Sequence, residues 1–260
     1  MSTKEHRSPA PAVERAAAIL DVLTRHQGGP LGSSSLAREL GAPKSSVFNV
    51  CNVLADAGVL RRTRSGYALG PKLVEYGTAY LSSIDLVQEF YDVCDQFGDH
   101  IEETVQLAIL DGLNVIYLAR RHGSRPVRLQ SEIGRSLPAN CTAVGKALLA
   151  ELSDEGVRAR VEASGGLSRL TPKSIAEVEA LLGELGQVRA RGVAFDEGET
   201  ADEIFCAATV VDAPGYQGGK AAISFTLVQS LATATQVERV VAQLRGVASE
   251  LRGRMGGGRE

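Results

Sequence analysis

In the stretch KSSVFNVCNVLAD, Ser45, Phe48, Asn49 and Asn52 fall at i, i+3, i+4 and i+7, so a helix sets them on one face. Small hydroxyls and amides on such a face can bond phosphates and base edges without a long flexible stem, which suits the major groove of a duplex. Lys44, Ser45 and Ser46 fall in the first turn, where free backbone N–H groups and the helix dipole favour a phosphate. Shortly after this helix, RRTRSG carries Arg61, Arg62 and Arg64, cations able to straddle a sugar-phosphate backbone or enter a minor groove.

Other residues invite chemistry and do not complete it. NCTAVGKA is close to a phosphate-binding loop, but Asn140 replaces its first glycine and Ala147 its final hydroxyl. Lys146 then reads as a surface or helix-packing lysine. Cys141 or Cys206 could act as a nucleophile with His100 or His122 as base, yet nothing local to either cysteine supports this, and buried free thiols are the ordinary reading. FDEGETADEIF gathers Asp196, Glu197, Glu199, Asp202 and Glu203, most of which read as a solvated acidic loop, and the stretch lacks the oxygen spacing or histidine partners of a metal site. No catalysis, metal or cofactor is expected.

The elements that must position the first set are legible from periodicity and punctuation. Val13, Ala16, Ala17, Leu20 and Leu23 predict a helix over Pro11–His26. GGP breaks it, and SSSLAREL supplies N-capping serines for a short helix stopped by Gly41. Pro43 suits the first position of a third helix, whose Val47, Val50, Cys51 and Leu54 must face a core, with Gly58 ending it. VLRRTRSGYALG then reads as a hairpin turning at Ser65-Gly66. Helix, short helix, turn, helix and basic hairpin is the order of a winged helix-turn-helix. A solvated helical bundle is the plain alternative, and the basic hairpin directly after the third helix argues against it.

Charge agrees with that division. The chain has 260 residues and a net charge of −3, but residues 1–70 carry nine Lys or Arg against five acids, or +4. A basic head on an acidic body points to a polyanion partner for the head alone. No window approaches the run of about 18 apolar residues that a membrane span needs, and MSTKEHRSPAPAVERAA lacks the apolar core of a secretory signal. Cys51, Cys94, Cys141 and Cys206 lie far apart without a CxxC pair, which fits a reducing cytoplasm.

Beyond the head, PKLVEYGTAYLSSIDLVQEFYDVCDQFGDHI reads as two helices meeting near Ser83. TVQLAIL, NVIYLARR and VRLQSE are β-prone, TAVGKALLAEL is helical, and Val178, Leu181, Leu182, Leu185 and Val188 mark another helix. FCAATVVDA and GKAAISFTLV read as adjacent strands around PGYQGG, and Val237 to Leu251 as a closing helix. Such a sheet with covering helices is an α+β cup fit for a small ligand.

The chain resembles the IclR family of bacterial transcriptional regulators, through LARELGAPKSSVFNVCNVLADAGVLRR, GYALGPKLVEYG, CTAVGKALLAEL, RGVAFDEGETADEIFCAATVVDAPG and AAISFT in that order. The resemblance implies a two-domain protein: an N-terminal α-helical winged helix-turn-helix and a C-terminal α+β, GAF-like effector-binding domain. It implies double-stranded operator DNA and a small organic effector, carboxylate or aromatic, as partners. It also implies a homodimer or homotetramer, with no membrane partner. The family's effector pocket maps onto Asp196, Cys206, Ser224 and Thr226, with backbone N–H groups from Ala143 and Val144. Ser224 and Thr226 are two apart on a strand, so both hydroxyls share one face. Asn49 stands where the family usually has arginine, which implies a different operator preference.

The expected organisation is a disordered lead-in over 1–11, the DNA-binding domain over 12–70, a linker helix over 71–84 and the effector domain over 85–260. The linker's apolar residues call for a partner, either a second subunit or the chain's own body, and the resemblance favours the former. Two rivals are a metabolite-binding enzyme with a fused helical domain, which lacks a nucleophile–base pair, and an architectural DNA-binding protein, for which the hydroxyl strand has no use.

Overall fold

The computed structural model describes residues 9–26, 29–125, 132–214 and 219–256. The chain divides into two compact units, Met1–Leu81 and Ser82–Glu260. Residues 1–8 of the expected lead-in lie outside the described residues, and Pro11 already opens the first helix. The strand expected at VRLQSE and the turn expected at PGYQGG fall mostly on 126–131 and 215–218, also outside the described residues.

In the first unit, α1 (Pro11–Arg25), α2 (Ser33–Glu39) and α3 (Lys44–Asp56) are followed by β1 (Leu60–Thr63), β2 (Gly66–Leu69) and α4 (Lys72–Ser82). Ile19, Val22 and Leu23 of α1, Leu36 and Ala37 of α2, and Val47 and Cys51 of α3 form one core with Leu60 and Tyr67. The buried stripe of α1 is rotated from the expected one: Val13 and Ala17 are exposed, and the larger Ile19 and Val22 turn inward. The second helix is preceded by Gly32 without a side-chain cap, so the serines lie inside its first turn. Pro43 stands just before α3, whose first residue is Lys44.

The wing turns one residue earlier than its Ser-Gly pair suggests. Thr63 pairs with Gly66, leaving Arg64 and Ser65 as the two turn residues. Gly66 is fixed at φ 140 because Tyr67 also exchanges both backbone bonds with Leu31, each at 2.9 Å. A Cβ on Gly66 would meet the Leu31 carbonyl oxygen at 2.2 Å. The wing is therefore docked on the α1–α2 connection rather than free-standing, a long-range pairing that local turn chemistry does not announce.

The second unit contains α5 (Asp85–Phe97), β3 (Thr104–Asp111), β4 (Asn114–Arg121), β5 (Ser136–Pro138), α6 (Ala143–Leu149) and α7 (Asp154–Ala163). It continues with α8 (Val178–Arg191), β6 (Ala194–Glu197), β7 (Ile204–Asp212), β8 (Lys220–Val228) and α9 (Ala234–Gly256). The six strands form one antiparallel sheet in the order β5-β4-β3-β8-β7-β6. β3 and β8 are central and buried over nearly their whole lengths. Such continuous burial requires both faces to be covered: α6 packs on β3, β7 and β8, while α5 and α9 pack together and against β4, β7 and β8. The sequence reading passed over α7, β5 and β6. β5 and β6 are only three and four residues long, too short to show a period of two.

α6 approaches the sheet closely. Ala108, Ala194, Ala208 and Ala222 supply a floor of small side chains in the same core as Ala143, Val144, Ala147 and Leu148. At its other side the helix leans on the short 3₁₀ turn Ala139–Cys141, where a Cβ on Gly145 would meet the Ala139 carbonyl oxygen at 2.2 Å. Backbone on both sides of that contact leaves nothing flexible to yield. Gly145→Ala should destabilise the second unit by about 2–3 kcal/mol in urea unfolding. Gly183→Ala, in open space on α8, should instead be neutral or stabilising by up to about 1 kcal/mol.

Candidate functional site

The exposed face of α3 sorts into two groups. Lys44, Ser45, Phe48 and Asn49 are exposed and, among the described residues, hold no side-chain hydrogen bond to the rest of the chain. Ser46 instead accepts a hydrogen bond from Arg15 Nη1 at 2.6 Å, tying α3 to α1. Asn52 Oδ1 accepts from the Tyr67 hydroxyl at 3.0 Å and from Arg62 Nη2 at 3.2 Å, and Arg62 also pairs with Asp56 at 2.7 Å. Three residues expected to face DNA are therefore occupied: Ser46 by α1, and Asn52 and Arg62 by each other. Arg61 and Arg64 stay exposed on the wing without such partners among the described residues. The reason is register: Arg62 lies opposite Tyr67 on the two-stranded ribbon, and both reach back to the last turn of α3.

In the second unit, strand pairing assembles a polar surface from residues distant in sequence. Thr104 pairs with Thr226, Thr226 with Cys206, and Cys206 with Asp196, so four strands contribute one row on one face. The next row runs Gln106, Ser224, Ala208, Ala194. Over these rows lies a cavity of about 320 Å³, lined by Gln106, Asp196, Cys206 and Ser224 of the sheet together with Tyr117 and Leu137. Thr142, Ala143 and Val144 wall it at the start of α6, and residues from Thr200 to Ile204 form its rim. That volume accommodates a small organic molecule. Among the lining residues there is no lysine, arginine or histidine.

Thr142 caps α6 by accepting from the Gly145 N–H at 3.0 Å, so the N–H groups of Ala143 and Val144 are those a first turn leaves without intrahelical partners. Asp196 lies on β6, not in a loop, and is buried. Its Oδ1 accepts from the backbone N–H of Glu199 at 2.7 Å and of Thr200 at 3.3 Å. Its Oδ2 lies 2.6 Å from the Thr200 hydroxyl, which also lies 2.7 Å from the Cys141 carbonyl oxygen.

Neither Lys146 nor Glu199 is a solvated surface group. They are buried and in direct ionic contact with each other. Burial pushes the Glu199 carboxyl up to about 7, with the Lys146 charge opposing that rise. Thr171 and Ser174 hold the same segment by donating to the carbonyls of Gly198 and Glu199, each at 2.7 Å. Asn140, where a phosphate loop would have glycine, donates to the carbonyls of Ser168 at 2.7 Å and Ile175 at 2.8 Å. The near-motif is thus a clamp for the 168–175 segment.

The model of the IclR helix-turn-helix domain matches residues 12–64, and that of the bacterial transcriptional regulator IclR C-terminal domain matches residues 78–252. The chain belongs to the IclR family. Its likeness to other IclR-type regulators extends over most of its length. It is 33% identical to the HTH-type transcriptional regulator XynR of Escherichia coli over 202 residues, 77% of this chain and 79% of that protein. The IclR transcriptional regulator of Alicyclobacillus acidocaldarius aligns with a TM-score of 0.78 at 25% identity, covering 95% of this chain and 99% of that one. An IclR homologue from Microbacterium hydrocarbonoxydans, solved with 4-hydroxybenzoate, aligns with a TM-score of 0.71 at 22% identity, over 93% and 99% of the two chains. The architecture is that of the IclR regulators, a helix-turn-helix domain followed by an α+β, GAF-like domain.

Of the six residues that the IclR resemblance assigns to an effector, Ala143, Val144, Asp196, Cys206 and Ser224 line the cavity. Thr226 does not. It is fully buried on the same face, and its hydroxyl sits 3.2 Å from Cys206 Sγ. Gln106, Tyr117, Thr142 and Thr200 join the lining unannounced; a lone buried glutamine in the apolar run TVQLAIL was the available signal for the first. Burial pushes the thiols of Cys141 and Cys206 up from the ordinary range, the reverse of an activated nucleophile. Among the described residues no group of three or more His, Cys, Asp or Glu could hold a metal ion, and no helix is long and apolar enough to cross a membrane.

Removing Lys146 alone strands a buried carboxyl. Lys146→Met should destabilise the second unit by about 3 kcal/mol, while Lys146→Met with Glu199→Met should recover most of that loss. Chemical unfolding of the three proteins measures both effects.

Proposed function

We propose that this IclR-family regulator reads an operator through Lys44, Ser45, Phe48 and Asn49 on α3, with Arg61 and Arg64 on the wing gripping the backbone. The observation that carries the reading is the sorting of the α3 face: Lys44, Ser45, Phe48 and Asn49 are left unoccupied on one patch, while Ser46 is spent on α1 and Asn52 on the wing. Asn49 can bond an adenine edge through two hydrogen bonds. Ser46, Asn52 and Arg62 act by holding the reading helix and wing in register.

The cavity of the second unit takes a small organic effector, carboxylate or aromatic, against Ala143, Val144, Asp196, Cys206 and Ser224. A relative of the same fold holds 4-hydroxybenzoate. The effector shifts operator affinity by binding one arrangement of the protein better than another, and by no more than that difference. Val74, Tyr76 and Tyr80 are exposed on α4, which supports association of two chains through this helix in a cytoplasmic homodimer, or a homotetramer built from two. The raised thiols and the absence of a basic group among the cavity's lining residues give an enzyme reading no nucleophile–base pair.

On a duplex selected from a random library, Arg61→Ala and Arg64→Ala should each weaken binding of every sequence and reduce the salt slope by about 1. Arg62→Ala should change that slope less, since its charge is already paired with Asp56. Asn49→Ala should relax specificity at one base pair, at a cost of about 1–3 kcal/mol. Equal slopes for all three arginine variants would contradict the division of roles.

The effector half of the reading is tested by a thermal-shift panel of organic acids that includes 4-hydroxybenzoate, since a ligand of the folded state raises its stability. For any compound that binds, Ser224→Ala should abolish the shift and leave operator affinity intact. Thr226→Val should have the smaller effect.

A further inference from the structure

We propose that Asp196 is a neutral carboxylic acid in the folded protein at neutral pH, with its proton on Oδ2 directed at Thr200, so that the inner wall of the cavity is uncharged. The assignment follows from counting protons. The Thr200 hydroxyl has one hydrogen and lies between two oxygens, the Cys141 carbonyl at 2.7 Å and Asp196 Oδ2 at 2.6 Å. The carbonyl can only accept. Were Asp196 ionised, both neighbours would be acceptors, and one short oxygen–oxygen contact would have no hydrogen in it. With the proton on Asp196 Oδ2, that group donates to Thr200 and Thr200 donates to Cys141. Oδ1 meanwhile accepts from the N–H groups of Glu199 and Thr200. Every hydrogen is then used once.

The surroundings favour the same state. Asp196 is 1% exposed, and burial pushes its carboxyl up from the ordinary aspartate range, more than its hydrogen bonds and the Lys146 charge pull it down. The groups facing it are Lys146 from α6, already matched by Glu199; Cys206 from β7, its thiol raised in turn; and Cys141 from the 3₁₀ turn, through its carbonyl. Asp202 and Glu203 are exposed at the rim. No basic side chain lines the cavity to balance a charge on Asp196.

The consequence for a ligand rests on the effector reading above, whereas the protonation itself does not. A carboxylate effector meets a neutral wall only while Asp196 keeps its proton, so anion binding weakens as pH rises through its pKa. The Thr200 link also joins the rim to the turn before α6, and losing the proton removes one of its two hydrogen bonds.

Asp196 is the only buried aspartate among the described residues, so infrared spectroscopy of the effector-free protein with isotopically labelled aspartate decides the matter. At pH 7 a carbonyl stretch of a protonated carboxyl should shift with the label, and the band should vanish in Asp196→Asn. Absence of a label-sensitive band in the wild type would overturn the proposal even if the variant failed to fold.

Thermal unfolding supplies a second measurement. A carboxyl raised on folding costs nothing below its unfolded pKa and progressively more as pH climbs toward its folded value. Asparagine reproduces the neutral pattern, with Nδ2 donating to Thr200. Asp196→Asn should therefore melt about 2–4 °C above the wild type at pH 8, with the gap closing toward pH 4. A variant that melts lower at pH 8 and gains on the wild type as pH falls would show an ionised aspartate. Neither measurement uses an effector or DNA, so either can fail while the effector reading stands, and the Ser224→Ala response can fail while this one stands.

Discussion

A central antiparallel strand covered on both faces has no side turned to water, and the second unit is organised around that constraint. Polar side chains on β3 and β8 are pressed to find a partner inside the protein or line a cavity, and the buried Thr104 hydroxyl is an exception that, among the described residues, does neither. Because alternate residues share a face, Gln106 and Ser224 fall on the α6 side together, and pairing brings Cys206 and Asp196 alongside. Where the same face carries only alanines, at Ala108, Ala194, Ala208 and Ala222, α6 descends onto it. Where it carries hydroxyl, amide and carboxyl groups, the helix is only beginning and a cavity remains. Cavity and core thus share one strand face.

The rim is built by a different device. The segment after β6 contributes Glu199 and Thr200, whose backbone N–H groups bond Asp196 while the Glu199 side chain turns away to Lys146. One short stretch therefore touches the cavity with Thr200 and anchors itself in a buried ion pair with Glu199. Fixing the rim costs conformational entropy of about 1–2 kcal/mol per residue, offset by bonds from Thr171 and Ser174 to its carbonyls. A ligand that touches Thr200 or the adjoining rim residues acts on a segment tied directly to the base of α6. Small displacements there are resisted by close packing at Gly145, which favours discrete arrangements over gradual ones.

Sequence patterning reveals the helices of the first unit, the β-prone runs of the second and the polar face of α3, because each is a local periodicity of several turns or residues. It reveals the chemistry of the cavity only in part. Ser224 shows its spacing to Thr226, but which strand lies opposite is a matter of register between segments more than a hundred residues apart, so Gln106 stayed hidden. Register also separates Ser224 from Thr226: sharing a face does not decide which of the two reaches the open end. By sequence Glu199 reads as solvated and Lys146 as a surface or helix-packing lysine, since a lysine and a glutamate separated by 53 residues give no hint of meeting. The stretch FDEGETADEIF looks uniform by composition, whereas folding separates it into a buried and an exposed acid on β6, a buried ion-pair partner and two exposed rim carboxylates.

The α3 helix shows how such hidden partnerships alter a functional reading. By type and spacing Ser45, Phe48, Asn49 and Asn52 are equivalent members of one face. Asn52 differs because Arg62 and Tyr67, on the two facing strands of the hairpin, converge on its amide oxygen. That bond sets the distance between α3 and the ribbon that carries Arg61 and Arg64. A rigid spacing lets base-edge contacts and backbone contacts form together, without a fresh entropy cost for the second after the first. In the proposed reading, specificity rests on fewer residues than the face displays, with Asn49 the central one. In that reading the arginine paired with Asp56 contributes through geometry, since a cation already neutralised releases little more when it meets a phosphate.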